Sequence, residues 1–149
     1  MRINYTTYDM RRDQDSINPR TRSDVIFVNS DEESDHPYLY GRVIGIFHTD
    51  AMDRKTMTQF ERAEFLLVRW YRVINAAQSG FKSKRLYRIE FPPSDSPFAF
   101  DFVNPQFILR ACHLIPRFHL GRTRDILGPS IARRPDEKDE DYKEYMVNM

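Results

Sequence analysis

The segment Ala63-Glu-Phe-Leu-Leu-Val-Arg-Trp-Tyr-Arg-Val-Ile74 constrains the fold more than any other part of the chain. Alternate side chains of a β-strand point to opposite faces of its sheet. The apolar residues here form two sets, one for each face: Phe65, Leu67, Tyr71 and Val73, then Leu66, Val68, Trp70 and Ile74. Because both faces are apolar, both must be covered by other parts of the protein. The segment is therefore predicted to be a central strand.

Several other segments have the composition of short strands. They are residues 2–8, 24–29, 38–48, 86–91, 98–103 and 113–118. The 38–48 segment contains Gly41 and Gly45, and glycine inside a strand often marks a bulge or a bend. Helical signals are confined to one or two turns at 104–110, where Asn104 fits the N-cap and Pro105 the first helical position.

These elements predict a mainly β fold, either a small curved sheet or a partly open β-barrel, with one or two short helical turns. At 149 residues the chain is expected to form a single domain. Residues 121–149 are rich in turn formers and are predicted to be a loosely packed tail, with a helical turn or a closing strand at its end. The single cysteine, Cys112, excludes an internal disulfide and fits a reducing, intracellular compartment.

Positive charge is segregated, although the net charge is only +1. Residues 81–90 and 110–124 are strongly basic, whereas acidic residues collect at 31–35 and 136–141. Basic loops on one face would contact phosphates with little sequence preference. The predicted nucleic-acid-binding residues are Lys82, Lys84, Arg85, Arg117, Arg122 and Arg124. The alternative interpretation is that these charged loops only solvate the protein.

Four aromatic residues on two predicted strands form a second candidate site, an aromatic interaction surface: Tyr38, Tyr40, Trp70 and Tyr71. Together with Tyr87 they would cage a methylated lysine or stack on nucleobases. The alternative is that most of them are core residues, because a small barrel fills its interior with rings.

No residue pattern in the sequence indicates an enzyme. A metal site built from Cys112, His113 and His119 lacks the paired, regular spacing of structural zinc ligands. Cys112 and His113 are adjacent and would point to opposite faces of a strand, so they could not share a proton. We expect neither catalysis nor a cofactor, metal ion, small-molecule substrate or membrane association.

Five motifs, in the same order and with similar spacing, resemble the C-terminal part of fungal Plavaka-type transposases, which are CACTA-like elements. They are Tyr5-Thr-Thr-Tyr-Asp-Met-Arg-Arg-Asp-Gln-Asp-Ser-Ile-Asn-Pro-Arg-Thr21, Tyr40-Gly-Arg-Val-Ile-Gly-Ile-Phe-His48, Leu67-Val-Arg-Trp-Tyr71, His113-Leu-Ile-Pro116 and Gly128-Pro-Ser-Ile-Ala132. The resemblance implies a piece cut from a larger protein, with the catalytic carboxylates upstream of the matched region. The strand order is also similar to that of bromo-adjacent-homology domains of chromatin proteins.

Two functions from different classes follow. The resemblance implies a non-catalytic accessory domain of a transposase-like protein, expected in the nucleus, and the basic loops point to nucleic acid, such as double-stranded DNA or chromatin, as its partner. The alternative is a protein-interaction, chromatin-reader or structural module separated from its transposase catalytic domain. In that case the aromatic strand surface matters and the basic loops are incidental. The matched region of the family continues beyond Tyr145-Met-Val-Asn148, which leads us to expect an open sheet edge there.

Overall fold

The computed structural model describes residues 1–6, 12–21, 23–29, 31, 36–52, 60–74, 79–80 and 83–148. Its strands are β1 (Arg2–Thr6), β2 (Arg12–Ser16), β3 (Asp24–Val28), β4 (Tyr38–Met52), β5 (Phe60–Ile74), β6 (Arg88–Glu90), β7 (Phe100–Val103), β8 (Ile108–Ala111), β9 (His113–Pro116), β10 (Arg122–Thr123), β11 (Asp141–Tyr142) and β12 (Tyr145–Asn148). The described ranges contain no α-helix, and their helical turns include the 3-10 turns Pro105–Phe107 and Phe118–Leu120. The prediction of a mainly β fold is confirmed.

The largest sheet has eight antiparallel strands in the order β8-β3-β4-β5-β6-β12-β9, with β7 paired to β5 beside β6. β5 therefore lies centrally, with β4 on one side and both β6 and β7 on the other. The register of β4 against β5 shifts between Val43 and Gly45, so the irregularity lies at one of the two glycines where a bulge or bend was predicted. At Gly41 the reason for glycine is a close approach, because an added Cβ would clash with the side chain of Val68.

The sheet curls on itself. Its end strands β8 and β9 are separated along the chain by Cys112 alone, and the Cys112 N–H donates to the Asp24 carbonyl oxygen at 2.9 Å. In the described part of the chain no ladder of hydrogen bonds joins β8 to β9. The result is an open, strongly curved sheet, which agrees with the predicted curved sheet or partly open barrel.

Both faces of the central strand are covered, as its sequence predicted. Leu66 and Val68 belong to one core cluster, which includes residues from β3, β4 and β8. Tyr71 belongs to the other cluster, with Phe91 and Tyr145. β3 divides its residues in the same alternating way between the two clusters.

The prediction of a loose C-terminal tail needs correction. β12 pairs with β6 on one side and with β9 on the other, and Tyr145 and Val147 point into the core. Leu127, Ala132 and Asp141 are buried as well. The turn formers of this segment shape connections that lie against the sheet. The segment around 104–110 also differs from expectation, because the turn capped by Asn104 passes directly into strand β8.

Candidate nucleic-acid interface

Gly80 and residues 83–85 belong to a turn closed by a backbone bridge, and this turn presents two of the predicted phosphate-contacting residues. The Gly80 N–H donates to the Arg85 carbonyl oxygen at 2.7 Å, and the Arg85 N–H donates back at 3.3 Å. Gly80 has a φ of 100°, and an added Cβ would lie 2.5 Å from the Tyr87 hydroxyl oxygen. Glycine is therefore required here on two grounds. The turn places Lys84 and Arg85 in solvent.

Two adjoining cavities of about 350 and 400 Å³ lie beside this turn. They share Arg85 and Leu86, and we call them together the basic groove. The lining is contributed by the turn, by β6 and by β12: Ser79, Gly80, Lys84, Arg85, Leu86, Tyr87, Arg88, Met146, Val147 and Asn148, with Arg117 reaching in from the end of β9. The two strands meet where Met146 pairs with Arg88.

The charge of the basic groove is strongly positive. Its described lining includes four cations, Lys84, Arg85, Arg88 and Arg117. The carboxylate that contacts them is Glu144, which accepts a short hydrogen bond from Arg117 and lies 3.7 Å from the Arg88 guanidinium. Lys84 and Arg85 make no ion pair with any residue of the described ranges. These two side chains remain available for an anionic partner.

The other predicted basic residues do not line the groove. Arg122 lies 4.4 Å from the centre of the Tyr142 ring and donates to the Tyr142 hydroxyl oxygen at 2.8 Å. Arg124 pairs with Glu140 at 3.2 Å. Both lie beyond the turn Phe118–Leu120. Lys82 lies outside the described residues.

Arg88 is the groove residue that the predicted set omitted. The alternation of 86–91 placed it outward on its strand, and it is half-buried. Arg88 lines the basic groove because β12 pairs with β6 and because Arg117, far along the chain, lines the same cavity. The basic character of 81–90 was the available signal, but the cavity and the carboxylate Glu144 that Arg88 shares with Arg117 could not be predicted from the sequence.

The predicted aromatic surface needs correction, because its four residues do not form one surface. Tyr40 and Tyr71 are core residues with exposures of 0% and 6%. The Tyr71 ring stacks on Phe91 at 4.1 Å, and its hydroxyl donates to Asp24 Oδ1 at 3.0 Å. Trp70 points to the other face and packs on Phe27 at 4.9 Å. Half-buried Tyr38 lies apart from Trp70, with its ring centroid 6.0 Å from that of His36. The alternative that these rings fill the core holds for Tyr40 and Tyr71.

The remaining features considered in the sequence are the lone cysteine, a metal site and a membrane-spanning helix. Cys112 is largely buried, and burial raises the pKa of its thiol. Among the described residues no group of three or more His, Cys, Asp or Glu side chains is placed to hold a metal ion. None of the described helical segments is long and apolar enough to cross a membrane.

Comparison with known proteins gives no further assignment. No protein-family model matches the chain, and neither does any curated protein or solved structure.

Proposed function

We propose that this protein binds nucleic acid through the basic groove, by contacts to phosphates. The observation that carries the proposal is that four cations, Lys84, Arg85, Arg88 and Arg117, line two adjoining cavities. Among the described residues, the carboxylate that pairs with any of them is Glu144, which contacts Arg88 and Arg117. Cations that neutralise phosphates release condensed counterions, which makes binding favourable and strongly dependent on salt. Contacts of this type position a protein on nucleic acid without reading its sequence.

The groove also offers surface for a base. The half-buried Tyr87 ring and the exposed Leu86 side chain line the second cavity beside Lys84. Aromatic rings beside cations are the usual elements of sites for unpaired nucleotides. Single-stranded DNA therefore belongs in the test alongside a duplex, and the ratio of the two affinities measures the contribution of base stacking.

The test is fluorescence anisotropy of a labelled random-sequence duplex, titrated with protein at several salt concentrations. Reversing two groove charges with Lys84→Glu plus Arg85→Glu removes about two phosphate contacts. The slope of log K against log salt should become less steep by about 2, since each contact contributes about 0.9. Affinity at low salt should fall by at least tenfold.

The matched control is Arg2→Glu plus Arg62→Glu, which makes the same change in net charge at exposed positions on β1 and β5. It should retain most of the affinity of the original protein. Equal losses in both double variants would mean that net charge alone drives binding. Unchanged affinity in the Lys84 and Arg85 variant would refute the groove as the interface.

We also propose, on the sequence motifs alone, that the protein is an accessory domain of a transposase-like protein. In that role the basic groove would add sequence-independent DNA affinity to a separate catalytic domain, and the protein would act in the nucleus. Adding the chain to such a catalytic domain should increase its affinity for DNA, and the Lys84 and Arg85 variant should not.

A second candidate function, a protein contact, is favoured by an exposed aromatic row. The outer part of the β4–β5 hairpin carries Phe47, stacked on Phe65 at 5.6 Å, and Phe65 in turn meets Phe102 of β7 at 5.6 Å. Phe102 is 64% exposed. Contiguous exposed apolar groups of this kind mark interaction surfaces. The first occupant to test is a second copy of this chain, because the row would be buried against itself about a two-fold axis.

Sedimentation velocity over a wide range of protein concentration tests this candidate. Phe47→Ser plus Phe102→Ser should shift a dimer to monomer, whereas Phe98→Ser, at another exposed phenylalanine, should not. A protein that is monomeric at every concentration would exclude self-association through this row.

A further inference from the structure

Two arginines of the central strands lie side by side in the interior. Arg42 of β4 pairs in register with Arg69 of β5, so both side chains point to the face of the second core cluster. Both guanidinium groups lie over the Phe91 ring, whose centre is 3.6 Å from the Arg69 guanidinium carbon and 5.1 Å from that of Arg42. Like charges opposite one another are unfavourable, so both arginines need anionic partners.

Those partners come from distant parts of the chain. Asp141 accepts two hydrogen bonds from Arg69, both at 2.9 Å. Arg42 donates to Asp24 at 2.9 Å and to Glu137 at 2.6 Å. The segment that supplies Glu137 and Asp141 also brings two more cations into contact with the same carboxylates.

Arg133 donates to Asp141 Oδ2 at 3.0 Å, and Arg134 donates to Ser23 and lies 3.7 Å from Asp24. The network thus joins four guanidinium groups to three carboxylates. The phenols of Tyr71 and Tyr145 add no negative charge, because burial raises their pKa values. Among the described residues, one positive charge in this largely buried network has no carboxylate to balance it, which is costly without a further anion.

A cavity of about 250 Å³ opens beside this network, lined by Arg20, Arg42, Arg133 and Arg134 together with apolar residues that include Ile131 and Pro135. The Arg133 side chain is 3% exposed, yet its Nη1 has no hydrogen-bond partner, and the contacting carboxylate oxygen, Glu137 Oε2, is 3.9 Å away. Arg134 Nε is also buried without a partner. Arg20 is exposed and makes no ion pair with a described residue.

We propose that this cavity binds an oxyanion of the phosphate class. A phosphate offers several acceptor oxygens, and guanidinium groups recognise it with paired, charge-assisted hydrogen bonds. The volume corresponds to about eight water molecules at ~30 Å³ each, so a phosphate that carries a larger group also fits. The site is built from different residues than the basic groove and does not depend on the proposed nucleic-acid binding.

The experiment is thermal unfolding of the full chain with increasing inorganic phosphate, at an ionic strength held constant with chloride. Binding to the native state raises the midpoint temperature in a saturable manner. Arg20→Gln should weaken the apparent affinity about three- to tenfold, the loss expected for one ordinary hydrogen bond at an exposed position. Ile131→Glu, at a side chain that is 94% exposed, adds a carboxylate at the cavity and should weaken it similarly.

Arg20 and Ile131 are both exposed, so neither substitution should unfold the protein. The matched control is Arg72→Gln, at an exposed strand position, which should bind phosphate normally. An oligonucleotide with a 5′-phosphate, compared with its 5′-hydroxyl form, distinguishes the end of a nucleic acid from a free ion as the source of the phosphate. A preference for the 5′-phosphorylated oligonucleotide supports the site, with the end of a nucleic acid as its ligand. Free inorganic phosphate that binds as tightly as this oligonucleotide also supports the site, with the free ion as its ligand. A shift that does not saturate, or one unchanged in both Arg20→Gln and Ile131→Glu, would overturn it.

Discussion

Asp141→Asn removes the charge that holds the buried network together. Asp141 is 1% exposed and accepts hydrogen bonds from Arg69 at 2.9 Å, twice, and from Arg133 at 3.0 Å. Asparagine keeps the shape of the side chain but leaves both guanidinium groups without their anion. Breaking a buried pair in this way costs about 3–5 kcal/mol of the free energy of unfolding. Because such a protein has only about 5–15 kcal/mol in total, the loss is a large fraction of it.

Urea unfolding, monitored by tryptophan fluorescence, measures this loss. Trp70 packs on Phe27 in the core, so its emission reports on the sheet itself. In a chain of this size 1 kcal/mol corresponds to about 2–4 °C in the midpoint temperature, so heating should show a decrease of about 6–20 °C. The slope of free energy against urea should stay constant if the variant still folds to the same structure.

Glu140→Gln is the matched control, one residue earlier in the chain. Glu140 pairs with Arg124, whose side chain is 73% exposed, and exposed pairs contribute about 0–1 kcal/mol. A loss of less than about 1 kcal/mol in Asp141→Asn, no larger than that in Glu140→Gln, would refute the view that this network is a main support of the fold.

Two further predictions concern single residues, Gly80 and Cys112. Gly80→Ala forces a side chain into a backbone conformation with a φ of 100° and against Tyr87, so it should distort the turn and lower DNA affinity severalfold, as measured by anisotropy. Burial raises the pKa of the Cys112 thiol, so little thiolate exists near pH 8; its reaction with Ellman's reagent should be slow in the native protein and fast in urea. Rapid reaction without denaturant would show that the thiol is accessible.

The strands could be predicted where a segment was apolar on both faces, or alternated between apolar and polar residues, over enough consecutive residues. β5 carries apolar residues on both faces, so its central place follows from local pattern, and the alternation around β6 indicates which of its side chains point inward. A closing strand at the C-terminal end was one of two predicted alternatives, but its place between two strands of the large sheet was not predicted, because β12 has four residues and follows a charged, turn-rich stretch. Its burial depends on the pairing with β6 and β9, which no local pattern encodes.

Basic residues of the groove were predictable as a class, but their grouping was not. Lys84 and Arg85 follow from composition, since a basic turn is exposed in almost any fold. Arg117 also lines the groove because β9 and β12 are neighbours in the sheet. Arg122 and Arg124 follow the next turn and contact Tyr142 and Glu140 instead. Charge along the sequence thus predicted that these residues are basic and exposed, but not which of them lie close together.

The acidic stretch at 136–141 includes a fully buried carboxylate, Asp141, and a half-buried one, Glu137. Glu137 accepts a hydrogen bond from Arg42, and Asp141 accepts two from Arg69. β12 begins four residues after Asp141. β12 then lines the basic groove through Met146 and Val147. Because the buried network anchors the segment that enters β12, the groove and the network form one continuous structure. For the proposed phosphate contacts this anchoring matters, since ordering side chains and loops on binding costs free energy that a structure already ordered does not lose.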